Sequence, residues 1–201
     1  MTRGPFTTQC VLVRHGATAD NLAGRYAGKR SNAPLCAQGA AELERLRASN
    51  RLAAEPGALL VSPSRRCVET ARVLFPNAPF KPAPELKEID FGEFEGKTYQ
   101  ELNGSPEYQK WIDSNGRRPF PGGESLDAFA ARSYGAFAKA VAENREKSPV
   151  VLVCHGGSIM AILSRLTGRE YFSFQVPPAE GFEVTVEVDG EDVRFISYRR
   201  V

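Results

Sequence analysis

Both histidines of the chain belong to the same six-residue pattern. Residues 11–16 are Val-Leu-Val-Arg-His-Gly, and residues 151–156 are Val-Leu-Val-Cys-His-Gly. A neutral imidazole can attack phosphorus and carry the phosphoryl group as a covalent intermediate. This chemistry also needs positive charge on the phosphate oxygens, which the guanidinium of Arg14 beside His15 can supply. Taken alone, an Arg-His-Gly tripeptide is also compatible with a hydrogen-bonded core histidine, so the surrounding residues must decide.

Each histidine is expected at the carboxyl end of a buried strand. The apolar, β-branched runs 9–13 and 150–154 predict strands, and the glycine that follows each histidine predicts a turn. Ligands bind at the carboxyl ends of the strands in open α/β sheets. If these two strands are neighbours, the two imidazoles face a single crevice.

Strands and helices alternate along the chain, which predicts an α/β fold. Besides the two histidine strands, we expect a strand at 58–61, an edge strand within 80–84 and a hairpin formed by 183–188 and 193–198. Helices are predicted at 37–50, 65–74, 125–144 and 158–166, with shorter ones near 99–102 and 106–114. This order favours a three-layer α/β/α sandwich on a mostly parallel, mixed sheet.

Length and composition are those of an ordinary globular domain. The 201 residues suit a single domain, with residues 85–124 as an insertion that covers the substrate. A net charge of +2 gives no argument for binding nucleic acid. No apolar stretch approaches the roughly 20 residues that span a bilayer, and the N-terminus lacks the apolar core of a signal peptide. We therefore expect a small-molecule substrate, no nucleic-acid partner, no membrane association and a cytoplasmic location.

The cysteines indicate neither a metal site nor a disulfide framework. Cys10, Cys36, Cys67 and Cys154 show no Cys-x-x-Cys spacing and no nearby pair of histidines. Two histidines are also too few for a metallophosphatase site. We expect free thiols in a reducing compartment, no bound metal and no cofactor.

Further motifs accompany the two histidines in a definite order. Arg-His-Gly-Ala-Thr at 14–18 is followed by Asn21, and residues 62–71 are Ser-Pro-Ser-Arg-Arg-Cys-Val-Glu-Thr-Ala. Leu-Lys-Glu-Ile-Asp-Phe-Gly occupies 86–92, and His-Gly-Gly occupies 155–157. In this order the chain resembles the histidine phosphatase superfamily, also called the phosphoglycerate mutase-like family. The pattern is most similar to its bacterial α-ribazole phosphatase and broad-specificity phosphatase branch. The resemblance implies the family's α/β/α fold and a phosphohistidine mechanism.

The resemblance also implies roles for individual residues. His15 matches the family's nucleophile, and Arg14 matches the adjacent phosphate-binding arginine. Asn21 falls at the phosphate-contacting asparagine. His155 matches the second histidine, which helps to hold the phosphoryl oxygens.

Two further assignments involve a choice between neighbours. Arg66 matches the phosphate-binding arginine of the family motif, although physical reasoning alone would accept Arg65 equally well. Glu88 falls where many members carry the acid that protonates the leaving oxygen, a step that a poor alkoxide leaving group requires. Three other carboxylates in the same region compete with it on chemical grounds: Glu93, Glu95 and Glu101.

We therefore expect a phosphomonoesterase that acts on a small phosphorylated metabolite through a phosphohistidine. A cofactor-dependent phosphoglycerate mutase is the main alternative, and the short region between Glu88 and the long helix favours the phosphatase. A non-catalytic phosphate-binding module is a minor alternative, since every expected catalytic position holds a competent residue. A Ser/His/Asp hydrolase is disfavoured because no Gly-x-Ser-x-Gly motif is present. The oligomeric state stays open, with a homodimer among the alternatives.

Overall fold

The computed structural model of the chain describes residues 4–49, 51–52, 55–190 and 192–201. The strands are β1 (Phe6–Arg14), β2 (Ala58–Val61), β3 (Lys81–Pro82), β4 (Val150–Cys154), β5 (Gly181–Asp189) and β6 (Asp192–Arg200). The helices are α1 (Ala19–Leu22), α2 (Ala37–Ala48), α3 (Arg65–Leu74), α4 (Tyr99–Leu102), α5 (Pro106–Asp113), α6 (Leu126–Glu143) and α7 (Gly156–Thr167).

The strands form one mixed sheet in the order β3-β2-β4-β1-β5-β6. The four strands β1 to β4 are parallel, while β5 is antiparallel to β1 and β6 is antiparallel to β5. β1 and β4 are direct neighbours, with Arg14 opposite Cys154. The residue that follows each of these strands is a histidine, so both histidines leave the sheet at the same edge.

Helices cover both faces of the sheet. Because side chains alternate along a strand, Cys10 and Leu12 pack in an apolar cluster with α6 and α7. Val11 and Val13 point to the other face and pack in a second cluster with α2 and α3. This arrangement confirms the predicted three-layer α/β/α sandwich with a mostly parallel sheet.

The chain between β3 and α6 has an apolar cluster of its own. It contains 3-10 turns at Pro84–Leu86 and Gly92–Phe94 together with α4 and α5. Ile89, Phe94, Leu102 and Tyr108 are among the buried residues of this cluster, which also includes residues of α6 and α7. Gly92 begins its second turn with φ of 56°, and a Cβ there would lie 2.0 Å from the carbonyl oxygen of Pro121. The segment therefore packs onto the helical layer beside the histidine edge.

Most predicted elements agree with the structure to within a few residues, and the differences have identifiable causes. β1 begins at Phe6 rather than residue 9, because β5 pairs with it from Phe6 onward. α7 begins at Gly156 rather than residue 158, since two glycines of low helix propensity form its first turn. α2 ends at Ala48, and its predicted end at Asn50 lies outside the described residues.

No helix within the described ranges is both long and apolar enough to cross a bilayer.

Candidate active site

Three polar side chains meet where three parallel strands end. His15 follows β1, His155 follows β4 and Ser62 follows β2. All three are buried, with exposed fractions of 3% or less. The two imidazole rings lie 5.2 Å apart, centroid to centroid, with an angle of 69° between their planes. The two histidines are therefore neighbours at the carboxyl edge of the sheet.

The guanidinium of Arg66 joins the two histidines. Its Nε donates to Nε2 of His15 at 3.1 Å, and its Nη2 is 3.2 Å from Nδ1 of His155. Arg66 lies in the first turn of α3 and is completely buried. Its remaining donors reach backbone carbonyl oxygens of Ser31 at 2.8 Å and of Gly28 at 3.0 Å. A permanent positive charge thus stands between the two imidazoles, held by carbonyl oxygens rather than by a carboxylate.

His15 is oriented as a nucleophile requires. Its Nδ1 lies 2.8 Å from the carbonyl oxygen of Gly16, so we assign the proton to Nδ1. Nε2 then carries the lone pair, which here accepts from Arg66. Burial lowers the pKa of His15 well below its usual range, and the charges of Arg66 and Arg14 lower it further, against the hydrogen bond to Gly16. The imidazole is therefore neutral, with its nucleophilic nitrogen facing the positive charge.

His155 has the opposite tautomer. Nε2 lies 2.8 Å from Oγ of Ser62, and Nδ1 faces the Arg66 guanidinium, which can only donate. We therefore place the proton on Nε2. Burial lowers the pKa of His155 well below its usual range, and Arg66 adds to the effect. The lone pairs of both rings thus face Arg66, and the rings differ in the partner of their N–H group, which is the Gly16 carbonyl for His15 and the Ser62 hydroxyl for His155.

Arg14 and Asn21 lie at the opening of the crevice. Arg14 donates through Nη1 to the carbonyl oxygen of Val176 at 2.6 Å, while its buried Nε has no hydrogen-bond partner among the described residues. Asn21 accepts through Oδ1 from the backbone nitrogen of Thr18 at 3.0 Å, which closes a capping box on α1. This bond leaves the amide nitrogen of Asn21 available. Both side chains therefore offer unused donors to an anion.

Glu88 meets the N-terminus of α7 and is 7% exposed. Oε2 accepts from the backbone nitrogen of Gly157 at 3.0 Å, and Oε1 accepts from that of Ile89 at 2.9 Å. Burial raises the pKa of the carboxyl above its usual range, despite these two bonds and the nearby arginines, which lower it. A Cβ on residue 157 would lie 2.2 Å from Oε1, so glycine is required there for this approach.

An ion pair holds the segment that carries Glu88. Arg132 of α6 pairs with Glu124 through two hydrogen bonds, of 2.9 and 2.8 Å. Arg132 also donates through Nη1 to the carbonyl oxygens of Glu85 at 2.6 Å and of Lys87 at 2.8 Å. Glu124 in turn accepts from the backbone nitrogen of Asp90 at 3.1 Å. The backbone is therefore fixed on both sides of Glu88.

The structure brings the six predicted site residues to one edge of the sheet. His15, His155 and Arg66 are in mutual contact, and Arg14, Asn21 and Glu88 line the adjoining cavity. The choice between Arg65 and Arg66 is resolved by position, because Arg65 is exposed and pairs with Glu69 at 2.7 Å.

The competing carboxylates lie elsewhere. Glu93 is exposed, Glu95 accepts from the backbone nitrogens of Gly28 and Arg30, and Glu101 caps α4 and pairs with Arg25.

Four residues that contribute to the site are not evident from the sequence pattern alone. Ser62 belongs to the 62–71 motif, and its position at the end of a predicted strand is the signal that could have identified it. Gly157 follows His155, but the need for a glycine depends on Glu88, far away in the chain. Arg132 and Glu124 give no local signal, since their role depends on contacts with residues 85–90.

A cavity of about 430 Å³ lies beside Glu88 and is lined in part by Gly156, the residue that follows His155. Besides Arg14, Asn21 and Glu88, its wall includes six aromatic side chains: Tyr26, Phe91, Trp111, Phe120, Tyr171 and Phe172. Among the described residues, no three His, Cys, Asp or Glu side chains are grouped so that they could hold a metal ion. The arrangement thus offers a neutral nucleophile, arginine charges, a buried carboxyl group whose pKa is raised, and a space for an organic group.

Comparison with known proteins gives a consistent result. The model of the histidine phosphatase superfamily (branch 1) matches residues 10–197. The metal-independent phosphoserine phosphatase of Arabidopsis thaliana is 35% identical over 170 residues, which cover 80% of this chain and 69% of the relative. A solved phosphoglycerate mutase from Thermus thermophilus superimposes with a TM-score of 0.68 at 32% identity, covering 94% of this chain and 97% of that one.

The same fold occurs at lower identity. A putative alpha-ribazole-5'-P phosphatase from Escherichia coli K-12 superimposes with a TM-score of 0.79 at 23% identity, covering 94% of each chain.

Proposed function

The chain belongs to the histidine phosphatase superfamily, branch 1, and on this basis we propose how its residues hydrolyse a phosphomonoester. His15 is the nucleophile, Glu88 is the general acid, and Arg14, Asn21, Arg66 and His155 bind the phosphoryl oxygens. The observation that carries this proposal is the buried contact of Arg66 with both imidazoles, at 3.1 and 3.2 Å. It joins positive charge to a neutral nucleophile in one site.

The first step transfers the phosphoryl group to the enzyme. The phosphate enters between the two rings, and the Arg66 donors that face the imidazoles turn to its oxygens. The lone pair of His15 Nε2 attacks phosphorus, the Nε2–P bond forms, and the bond from phosphorus to the ester oxygen breaks. Glu88 gives its proton to that oxygen, so the alcohol leaves neutral and Glu88 becomes a carboxylate.

The second step returns the enzyme to its starting state. Water enters from the cavity, and the Glu88 carboxylate accepts one of its protons while its oxygen attacks phosphorus. The Nε2–P bond breaks and inorganic phosphate is released. Glu88 is protonated again, and the Nδ1 proton of His15 stays on that nitrogen, hydrogen-bonded to the Gly16 carbonyl, throughout. One carboxyl group thus serves as acid and then as base.

The acceptor of the phosphoryl group separates hydrolysis from the mutase alternative. A mutase returns the group to a second hydroxyl of a bound acid substrate. One solved structure similar to this chain is named phosphoglycerate mutase. The matched relative named phosphoserine phosphatase supports hydrolysis instead. We favour water as the acceptor. The substrates to examine are small phosphorylated metabolites such as phosphoserine, α-ribazole phosphate and phosphoglycerate.

Three further features belong to this proposal. Residues 1–201 form one domain, in which 85–124 is the insertion that covers the substrate. The protein acts in the cytoplasm, which the four free cysteines support. The assembly that we propose to test is a homodimer.

The nucleophile can be identified by trapping the intermediate. Brief incubation with a ³²P-labelled phosphomonoester, an alkaline quench and trypsin digestion should place a base-stable, acid-labile label on residues 15–25, which contain His15. The peptide 148–165 carries His155, so the two histidines are distinguished. The His15→Ala variant should show no label on 15–25 and no turnover. Label on a serine, a cysteine or peptide 148–165 would contradict the mechanism.

The same preparation distinguishes phosphatase from mutase. With 3-phosphoglycerate and 2,3-bisphosphoglycerate present, a phosphatase releases inorganic phosphate, whereas a mutase accumulates 2-phosphoglycerate. Isomer formation much faster than phosphate release would establish the mutase instead.

A further inference from the structure

The leaving alcohol must occupy the cavity that contains Glu88. Two clefts meet at Arg14 and Asn21: the 430 Å³ cavity described above, and a more open one of about 1010 Å³ between α2 and the loop before β5. Arginines 45 and 51 line the open cleft, together with Glu42 and Glu180. Glu88 lines only the smaller cavity. Because the acid has to reach the leaving oxygen, the alcohol that departs lies on the Glu88 side.

The walls of that cavity are mainly aromatic and are held in place by one another. Phe120 contacts Phe91 and Trp111 at centroid distances of 5.0 and 4.9 Å, and Tyr26 contacts Phe91 at 5.1 Å. Ring pairs at these distances stabilise one another beyond simple burial of area. Met160, Leu126 and Val176 add aliphatic surface. The cavity therefore has a connected aromatic and aliphatic wall beside its polar lining residues, and its size is one found for small-molecule sites.

Within the part of the chain that the structure describes, both cations that line the cavity already have protein acceptors. They are Arg14, which donates to the carbonyl oxygen of Val176, and Arg25. Arg25 donates through Nη1 to Glu101 at 3.0 Å and to the carbonyl oxygen of Gly96 at 2.5 Å. Arg14 lies at the phosphate end. A carboxylate on the alcohol would therefore have to compete with Glu101 for Arg25, which makes its burial less favourable.

Phe172 extends the apolar wall to the surface. It lies in the 3-10 turn Tyr171–Phe174 and is 66% exposed, unusually high for a phenylalanine that lines a cavity. Its neighbour Tyr171 is anchored by a hydrogen bond from its hydroxyl to the carbonyl oxygen of Gly157 at 3.2 Å. The ring of Phe172 therefore stands at the mouth of the cavity, beside the path of an entering alcohol.

On the basis of the proposed phosphatase function, we propose that this cavity selects phosphate esters whose alcohol carries an aromatic ring and no carboxylate. The ring packs between the walls formed by Phe91, Trp111 and Phe120, and Phe172 covers its outer side. Polar atoms on the alcohol meet the side-chain amides of Asn115 and Gln175, which line the cavity and have no hydrogen-bond partner among the described residues.

The proposal can be tested with three alkyl esters whose leaving oxygens all need protonation: 2-phenylethyl phosphate, ethyl phosphate and O-phospho-L-serine. We expect kcat/KM for the phenylethyl ester to exceed that for ethyl phosphate by about 10- to 100-fold, the value of burying one phenyl group. Phosphoserine should be turned over no better than ethyl phosphate. Equal values for the first two esters, or a preference for phosphoserine, would overturn the proposal.

A pair of exposed aromatic residues provides the matched control. The Phe172→Ala variant should lower kcat/KM for the phenylethyl ester by about 3- to 10-fold more than it lowers kcat/KM for ethyl phosphate. Tyr99→Ala removes a ring that is 56% exposed but does not line the cavity, and it should change neither value. An equal loss on both esters in Phe172→Ala would contradict selection by the ring.

The outcomes also distinguish the proposed selectivity from the phosphatase mechanism on which it rests. Labelled His15 with no aromatic preference overturns the selectivity alone. Absence of turnover for every ester, or label on another residue, overturns the phosphatase mechanism and the selectivity together.

Discussion

Arg66 is the residue on which the candidate site depends most directly. Its guanidinium is completely buried, and carbonyl oxygens of Ser31 and Gly28 take up part of its charge. Burying a cation costs free energy unless its donors have hydrogen-bond acceptors. Two of the acceptors of Arg66 are the imidazoles of His15 and His155, which can accept only while they are neutral. The same charge that lowers the pKa values of His15 and His155 will hold the substrate phosphate.

Replacing Arg66 with lysine should show that the planar fork matters, because an ammonium cannot contact both histidines and a phosphate in the same way. We expect kcat/KM to fall by about 10²- to 10³-fold, as for the loss of one fixed transition-state donor. Arg65→Lys is the matched control, since Arg65 is exposed and should tolerate the change within about twofold. Steady-state kinetics on both variants measures the effect. Similar losses in the two would refute the assignment of Arg66.

Glu88→Gln tests the acid. An amide cannot donate the proton, so hydrolysis of alkyl esters should slow by about 10²- to 10⁴-fold, whereas p-nitrophenyl phosphate, whose leaving group needs little protonation, should be far less affected. Equal slowing of both esters would argue for another acid. Glu93→Gln is the control, because Glu93 is an exposed carboxylate of the same segment.

The pH dependence of kcat/KM should follow the titration of Glu88 and His15. The general acid must be protonated, so activity on alkyl esters falls as pH rises through the raised pKa of Glu88. The nucleophile must be neutral, so activity falls on the acid side only below the lowered pKa of His15. The basic limb should disappear in Glu88→Gln. An unchanged basic limb in that variant would show that it belongs to another group.

At the scale of elements, the site is built from strand ends and from one segment held by a helix. β1, β2 and β4 fix His15, Ser62 and His155 through the sheet itself. Glu88 lies in an irregular stretch, and its backbone depends on Arg132 of α6 and on Glu124. The acid is therefore positioned less directly than the nucleophile.

This difference predicts that Arg132→Lys acts on the acid and spares the nucleophile. The lysine keeps the charge but cannot pair with Glu124 and bind the carbonyl oxygens of Glu85 and Lys87 together. We expect kcat on alkyl esters to fall by about tenfold or more, with a shifted basic limb, while phosphorylation of His15 by p-nitrophenyl phosphate stays near normal. Lys139→Ala, at an exposed site of the same helix, controls for general damage to α6. Loss of both reactions alike would indicate a purely structural role.

The sequence could predict those parts of the site that are carried by local patterns. The two apolar runs ending in His-Gly indicate strand ends, and the sheet then places the histidines together. The choice between Arg65 and Arg66 could not be made physically, because it depends on which face of α3 lies toward the β4 edge. The ion pair of Arg132 with Glu124 could not be predicted at all, since Arg132 contacts the backbone of Lys87, which is 45 positions away in the chain.

Across the whole molecule, the two buried histidines link folding to pH. Their pKa values are lowered in the folded state, so the unfolded chain binds more protons below pH 6.5 and the free energy of unfolding falls as the pH is lowered. Between about pH 7.5 and 5.5 each histidine should lower the free energy of unfolding by roughly 1 kcal/mol. Glu88 has the opposite effect on the free energy of unfolding, because its pKa is raised in the folded state.

Urea unfolding of wild type and His15→Asn at both pH values isolates one histidine. The loss of stability between about pH 7.5 and 5.5 should be smaller in the variant by roughly 1 kcal/mol. An identical loss in the two proteins would mean that the folded imidazole of His15 titrates as it does in the unfolded chain.

The parts of the molecule that react with phosphate and the parts that surround the alcohol come from different stretches of chain. The histidines and Arg66 follow strands or open a helix beside them, whereas most of the aromatic wall comes from the segment between β3 and α6 and from the turn after α7. Mutations in those loops can change which ester is accepted while the reacting groups remain as they are. Descendants of one ancestral scaffold can therefore diverge in substrate without evolving new chemistry, and exchange of the wall segments between relatives is a practical route to enzymes for new esters.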